Sequence, residues 1–204
     1  MYLAAKQDIM GEKALATYDI KEYLRFEKEA EIRHEFHNGE IFAMAGGTPN
    51  HSILGGNIVT ELNLRGRSKG CTVFNGDARI RIQNFNRFLY PEASVVCGEA
   101  EFSREDPNSV VNPMLIAEVL SESSEAYDRG AKFMYYQQIP SFREYILISQ
   151  LYPVVNIFYK KDNAIWEMQT IIGLDGEFEI RTLGGSVKMA DLYHNTRDLA
   201  DPLA

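Results

Sequence analysis

Glu118 constrains this chain more than any other residue. It lies within Met-Leu-Ile-Ala-Glu-Val-Leu (114–120), a near-continuous apolar run that reads as a strand covered on both faces. An ionised carboxylate in such a place costs several kcal/mol unless a cation or a set of donors accompanies it. Either Glu118 sits near the end of its strand and reaches solvent, or the fold builds something around it.

The segments on either side predict a mixed α/β domain, a central sheet flanked by helices. Asp19 and Glu22 form a capping-box pattern that opens a helix over 19–29. A hairpin follows over 32–45, turned at Asn38-Gly39, the pair that most readily enters a tight turn with positive φ. Thr48 as cap and Pro49 at the first helical position start a second helix, which runs to about Lys69 and stops at Gly70. Strands are expected over 71–75, 78–83, 88–97 and 114–120, with a polar loop over 99–113. A helix over 124–138 precedes Pro140. Four more strands follow, near 143–149, 153–159, 164–170 and 177–183, and a turn or short helix over 189–194 closes the chain.

The 204 residues suit a single domain, 1–204, with the first sixteen residues as a loosely held tail and 161–204 as C-terminal antiparallel strands. A net charge of −8 argues against bulk coating of nucleic acid or an anionic membrane. No apolar stretch approaches the ~20 residues that span a bilayer. Cys71 and Cys97 are the two cysteines, and they predict a reduced, cytoplasmic protein without a disulfide framework.

A second carboxylate follows Pro in Leu-Tyr-Pro-Glu-Ala-Ser-Val-Val (89–96). Pro lacks a ladder donor and marks a strand start, an edge or a kink, which re-aims the next side chain, here Glu92. Carboxylates from neighbouring strands aimed at one spot make a hard oxygen site suited to Mg²⁺ or Mn²⁺. Asp128 and Lys132 stand four apart. One reading is a surface ion pair worth tenths of a kcal/mol; the other turns Lys132 back over the sheet toward Glu92 and Glu118. His51, in the first turn of its helix, is either a partly exposed helix-start residue or a ligand.

The segments RHEFHNGEIFAMAGGTPNH, YPEASVVCG and PMLIAEVLSESSEAYDRGAKFMYYQQIPSFREYILI together resemble the Uma-two family of restriction endonucleases, over about residues 18–160. That family is similar in fold to the PD-(D/E)XK nuclease superfamily. The resemblance implies a restriction endonuclease-like core and Mg²⁺-assisted hydrolysis of DNA phosphodiesters by an activated water. Glu92 and Glu118 would hold the metal (Mn²⁺ as the alternative), with Lys132 on the following helix, because Leu120 occupies the more usual lysine position. Glu40 and His51 match recurrent family positions and would complete the site.

One departure stands out. The family pattern is Tyr-Pro-Asp, and Glu92 extends the carboxylate by one methylene, about 1.5 Å. The resemblance therefore leaves two readings, an active endonuclease or a weakened nuclease fold that serves as a DNA-binding or interaction module. Cutting both strands of a duplex calls for two sites, which a homodimer would supply. Between residues 65 and 87, six cations (Arg65, Arg67, Lys69, Arg79, Arg81 and Arg87) face one acid, Asp77. Alternation of Ile80 and Ile82 with Arg79 and Arg81 predicts a wet basic strand face, where phosphates would be gripped with low, salt-sensitive affinity.

Overall fold

The computed structural model describes residues 17–44 and 46–202; the expected N-terminal tail lies outside them. Helix α1 (Ile20–Glu29) begins at the Asp19–Glu22 capping box, with both reciprocal bonds formed. Strands β1 (His34–His37) and β2 (Glu40–Ala43) make the hairpin, and both Asn38 and Gly39 take positive φ at its turn. Helix α2 (Pro49–Gly66) starts at the Thr48 cap. A short 3₁₀ turn carries the chain to Gly70, whose φ of 67° ends it.

Strand β3 (Cys71–Asn75) is followed by β4 (Arg79–Ile82), β5 (Arg87–Leu89) and β6 (Ala93–Cys97). The expected strand over 88–97 is thus two strands, broken at Tyr90-Pro91-Glu92, where proline removes a ladder donor. Strand β7 (Ser109–Val110) lies within the expected polar loop and pairs in parallel with β4. Beyond it comes β8 (Leu115–Leu120), the strand of Glu118. The expected helix over 124–138 is α3 (Glu125–Tyr127) and α4 (Phe133–Tyr136), joined by a π-helical turn at Asp128–Lys132. Strands β9 (Glu144–Ser149), β10 (Val154–Lys160), β11 (Trp166–Ile172), β12 (Glu177–Glu179) and β13 (Ser186–Lys188) lead to helix α5 (Met189–Leu192).

Two sheets organise these elements. The larger has the order β11-β10-β9-β8-β6-β3, with β8 and β9 parallel across the α3–α4 crossover and the other pairs antiparallel. The smaller has the order β2-β1-β5-β4-β7. Period-two alternation sends Leu115, Ala117 and Val119 of β8 into a core with Leu54, Ile58 and Leu62 of α2. Ile116 and Leu120 enter the opposite core with Tyr136, Phe142 and Tyr145. Glu118 shares the face of Ile116 and Leu120 and is 4% exposed, so the apolar pattern does mark a strand covered on both sides.

Two expectations are corrected. Cys71 and Cys97 face each other across β3 and β6 and are joined as a disulfide, against the expectation that no disulfide would form. Their separation of 26 residues closes to neighbouring strands because β3 pairs with β6 rather than with β4. The wet basic face of β4 is also absent. Arg81 is 4% exposed and pairs with Glu105, and Arg79 pairs with Asp106. The acids of the 99–113 loop fold over that face and bury the guanidinium groups, which buried cations require.

The C-terminal segment packs Phe178, Ile180, Leu183 and Val187 into the α2 core. It is fastened by Glu144 at the start of β9, which is fully buried and accepts the N–H groups of Arg181 and Thr182 and the Thr182 hydroxyl. Glu144→Ala is expected to destabilise the protein by about 2–5 kcal/mol in a urea titration, since two backbone donors lose their partner.

Candidate active site

Strands β6 and β8 run antiparallel with Ala93 opposite Ala117. One step further in that register stand Glu92 and Glu118, so the pairing ends on two carboxylates. They line the same cleft with different neighbours. Released from the ladder by the Pro91 kink, Glu92 turns onto α2, with Oε1 3.4 Å from Nε2 of His51. Glu118 leans onto the π turn and α4, where Lys132 Nζ lies 2.8 Å from Oε1 and the Tyr136 hydroxyl donates to the same oxygen at 3.0 Å. Both partners engage Oε1, so Oε2 is the oxygen left for another ligand. Glu92, Glu118, His51 and Lys132 line one broad cleft between the two sheets.

Lys132 is no surface residue. It is 5% exposed and also meets Glu35 Oε1 at 3.3 Å and Asp128 Oδ1 at 3.4 Å. The i, i+4 spacing therefore does join Asp128 to Lys132, but inside the protein and with two further carboxylates. The π-helical turn carries both Asp128 and Lys132, and both are buried.

Glu35, on β1 of the smaller sheet, is the residue that sequence reasoning missed. Its carboxylate reaches Lys132, the His37 ring at 3.0 Å and the Tyr90 N–H at 3.2 Å. The available signal was its place in RHEFHNGEIF, one of the segments that carry the family resemblance. Glu40, expected to complete the site, pairs in register with His37 on β2 and does not line the cleft. Glu35, His37, Glu40 and Phe42 share one face of the hairpin, and Glu40 stands at its turn end while the other three line the cleft.

Burial acts on every group in this cluster, with different outcomes. It raises the carboxyl of Glu35, but Lys132, His37 and the Tyr90 N–H outweigh it and hold that carboxyl at about 2. For Glu118 burial prevails over the attraction of Lys132, with Asp128 and Glu35 adding repulsion, and the carboxyl is pushed up to about 8. Burial disfavours the charge on Lys132, yet Glu118, Glu35 and Asp128 together hold its ammonium well above the usual lysine range.

The donor set open to a cation is Glu92 with Glu118. Among the described residues no three His, Cys, Asp or Glu side chains form a ready-made metal cage. Two carboxylates completed by water and substrate phosphate are nevertheless the set that Mg²⁺ ordinarily takes, and Mn²⁺ accepts the same hard oxygens. The residues fit that group.

Of the six basic residues singled out in sequence, Arg79 alone lines the cleft. Arg65 pairs with Glu61 and donates to the Ser186 carbonyl, Lys69 donates to the Leu183 carbonyl, and Arg87 stacks 3.9 Å from the Tyr135 ring centroid. Arg67 and Lys69 are exposed at the end of α2.

The mixed α/β architecture, with a six-stranded sheet carrying the two carboxylates, is a nuclease-like fold. It matches the crystal structure of a "putative nuclease belonging to DUF820" from Anabaena variabilis ATCC 29413 with a TM-score of 0.69, covering 85% of this chain and 96% of that one at 15% identity. The profile of the Uma2 family, described as "Putative restriction endonuclease", matches residues 20–189, and the chain belongs to that family. Two relatives from Synechocystis sp. (strain ATCC 27184 / PCC 6803 / Kazusa) carry the names uncharacterized protein slr1290 and uncharacterized protein sll1609. The first is 32% identical over 85% of this chain and 90% of its own length. The second is 35% identical over 78% and 89%. Among the described residues no helix is long and apolar enough to cross a membrane.

Proposed function

We propose that this protein is a divalent-metal-dependent DNA endonuclease whose metal, Mg²⁺ or Mn²⁺, is held by Glu92 and Glu118. The observation that carries this reading is the burial of Lys132 between Glu118 and Glu35 on the wall of the cleft that Glu92 also lines. A structural ion pair needs one acid, and a solvated face needs none. Three carboxyl groups crowd one ammonium, with Glu92 on the same cleft, and burial disfavours the charge on Glu118; a divalent cation in the cleft would favour its ionised form.

When bound, the cation polarises the scissile phosphate and acidifies water. The chain's own residues prepare that chemistry. Lys132 and Tyr136 fix Oε1 of Glu118 and leave Oε2 to face the ligand. His51 steadies Oε1 of Glu92 from the first turn of α2. The fixed ammonium of Lys132 adds positive charge to the wall that meets the phosphodiester. In this reading phosphate contact falls to Arg79 on the cleft wall, Arg67 and Lys69 stand at the far end of α2 from His51, and Arg81 and Arg87 serve the fold. Two copies of the chain would supply the two cuts of a duplex.

The test is incubation of the purified protein with supercoiled plasmid and with single-stranded DNA, in Mg²⁺, in Mn²⁺ and in EDTA. Nicking or linearisation is expected with either metal and none with EDTA or with Glu118→Ala. Absence of cleavage under all conditions, or cleavage that survives Glu118→Ala, would overturn the reading in favour of a nuclease fold that does not cut.

A further inference from the structure

The end of the Glu92 side chain rests against α2 at a glycine. Gly55 is buried in the middle of α2, and a Cβ built on it would lie 2.9 Å from Oε2 of Glu92. No other atom outside the helix backbone comes within ordinary contact of that position except Cδ of Glu92 at 3.9 Å. The vacancy is therefore shaped by one side chain. One helical turn earlier, Nε2 of His51 lies 3.4 Å from the other oxygen of the same carboxylate, and the ring has a glycine seat of its own: a Cβ on Gly47 would lie 2.8 Å from Nδ1 of His51. Each carboxylate oxygen of Glu92 thus meets α2, one at a ring and one at a missing methyl group.

We infer that Gly55 is a positioning residue, and that the absence of its side chain lets the Glu92 carboxylate sit against α2 beside His51. The inference rests on the metal-site reading above. A glycine inside an 18-residue helix needs a reason, because it costs about 0.5–1 kcal/mol relative to alanine. The only group a methyl here would displace is the far end of a flexible side chain, which swings aside at little cost to the fold. The effect of adding it falls on where the carboxylate sits rather than on stability. That separates a positioning role from a packing role.

Three variants are compared with the native protein: Gly55→Ala, Glu92→Asp, and the two combined. Gly55→Ala is expected to keep or raise the Tm while Mn²⁺ binding in a calorimetric titration weakens by about 10–100-fold, the range seen when residues that orient a ligand are changed. Adding Glu92→Asp to Gly55→Ala is expected to restore most of that loss, because the shorter acid clears the new methyl. A crystal structure of Gly55→Ala gives a readout independent of metal, with the Glu92 carboxylate moved away from His51. Native Mn²⁺ affinity in Gly55→Ala, a double variant no better than the single one, or a carboxylate that stays in place would each overturn the inference. Should the native protein bind no Mn²⁺ and cut no DNA, the proposed function fails, and the crystallographic comparison still decides whether Gly55 sets the position of Glu92.

Discussion

Lys132→Met is expected to lower the unfolding free energy by about 3–5 kcal/mol, read from the midpoint and slope of a urea titration. The methionine keeps much of the volume and removes the charge. Glu118, Glu35 and Asp128 would then share a buried site without their cation, and Lys132 contacts all three within 3.4 Å. An uncompensated buried charge is among the most costly defects a core can hold. A loss below about 1 kcal/mol, the value of an exposed ion pair, would show that water reaches these carboxylates freely.

Glu118→Gln should have the opposite profile. The amide retains a carbonyl that accepts from the Tyr136 hydroxyl and from Lys132, and it relieves Lys132 of one of three crowding acids. Burial already pushes this carboxyl up to about 8, so a neutral group suits the position and stability should change by less than about 1 kcal/mol. Activity should not survive. In the proposed mechanism Glu118 is one of two anionic metal ligands, and its loss would remove several kcal/mol of transition-state stabilisation, a fall in cleavage rate of roughly a thousandfold or more. Plasmid cleavage and a Tm measured on the same preparation would establish the contrast. Substantial cleavage by Glu118→Gln would place the metal elsewhere.

Sequence reasoning reached the parts of the site that carry a local anomaly. Glu118 contradicts the apolar strand around it, and Glu92 follows a proline that must break a ladder, so both show in a single window. Lys132 is different, since a lysine four residues after an aspartate looks like any helix surface. Its burial follows from a π-helical turn and from packing against two sheets, neither of which leaves a mark in its own neighbourhood. Glu35 was missed for the same reason: the strand that bears it acquires its meaning from Lys132, nearly a hundred residues later.

The basic strand shows the converse error. Period-two alternation identified the two faces of β4 correctly, with Ile80 and Ile82 on the buried side. Alternation reports which residues share a face and says nothing about what lies over it. Glu105 and Asp106 were present in the loop expected over 99–113, and their acids were the available sign that Arg79 and Arg81 had partners. The cysteine reading failed likewise, because the pairing of β3 with β6 is a property of topology rather than of spacing.

The contact between Lys132 and Glu35 has a consequence for when the protein becomes chemically competent. Glu118 belongs to the six-stranded sheet and Glu35 to the five-stranded one, and the same ammonium spans both. Until the two sheets have docked, Lys132 lacks one of its anchors and the cleft between them has no second wall. A chain that has formed either sheet alone therefore holds fragments of the proposed site without the site, which the docking of the two sheets would complete. For a protein proposed to cut DNA, that order keeps incompletely folded copies harmless.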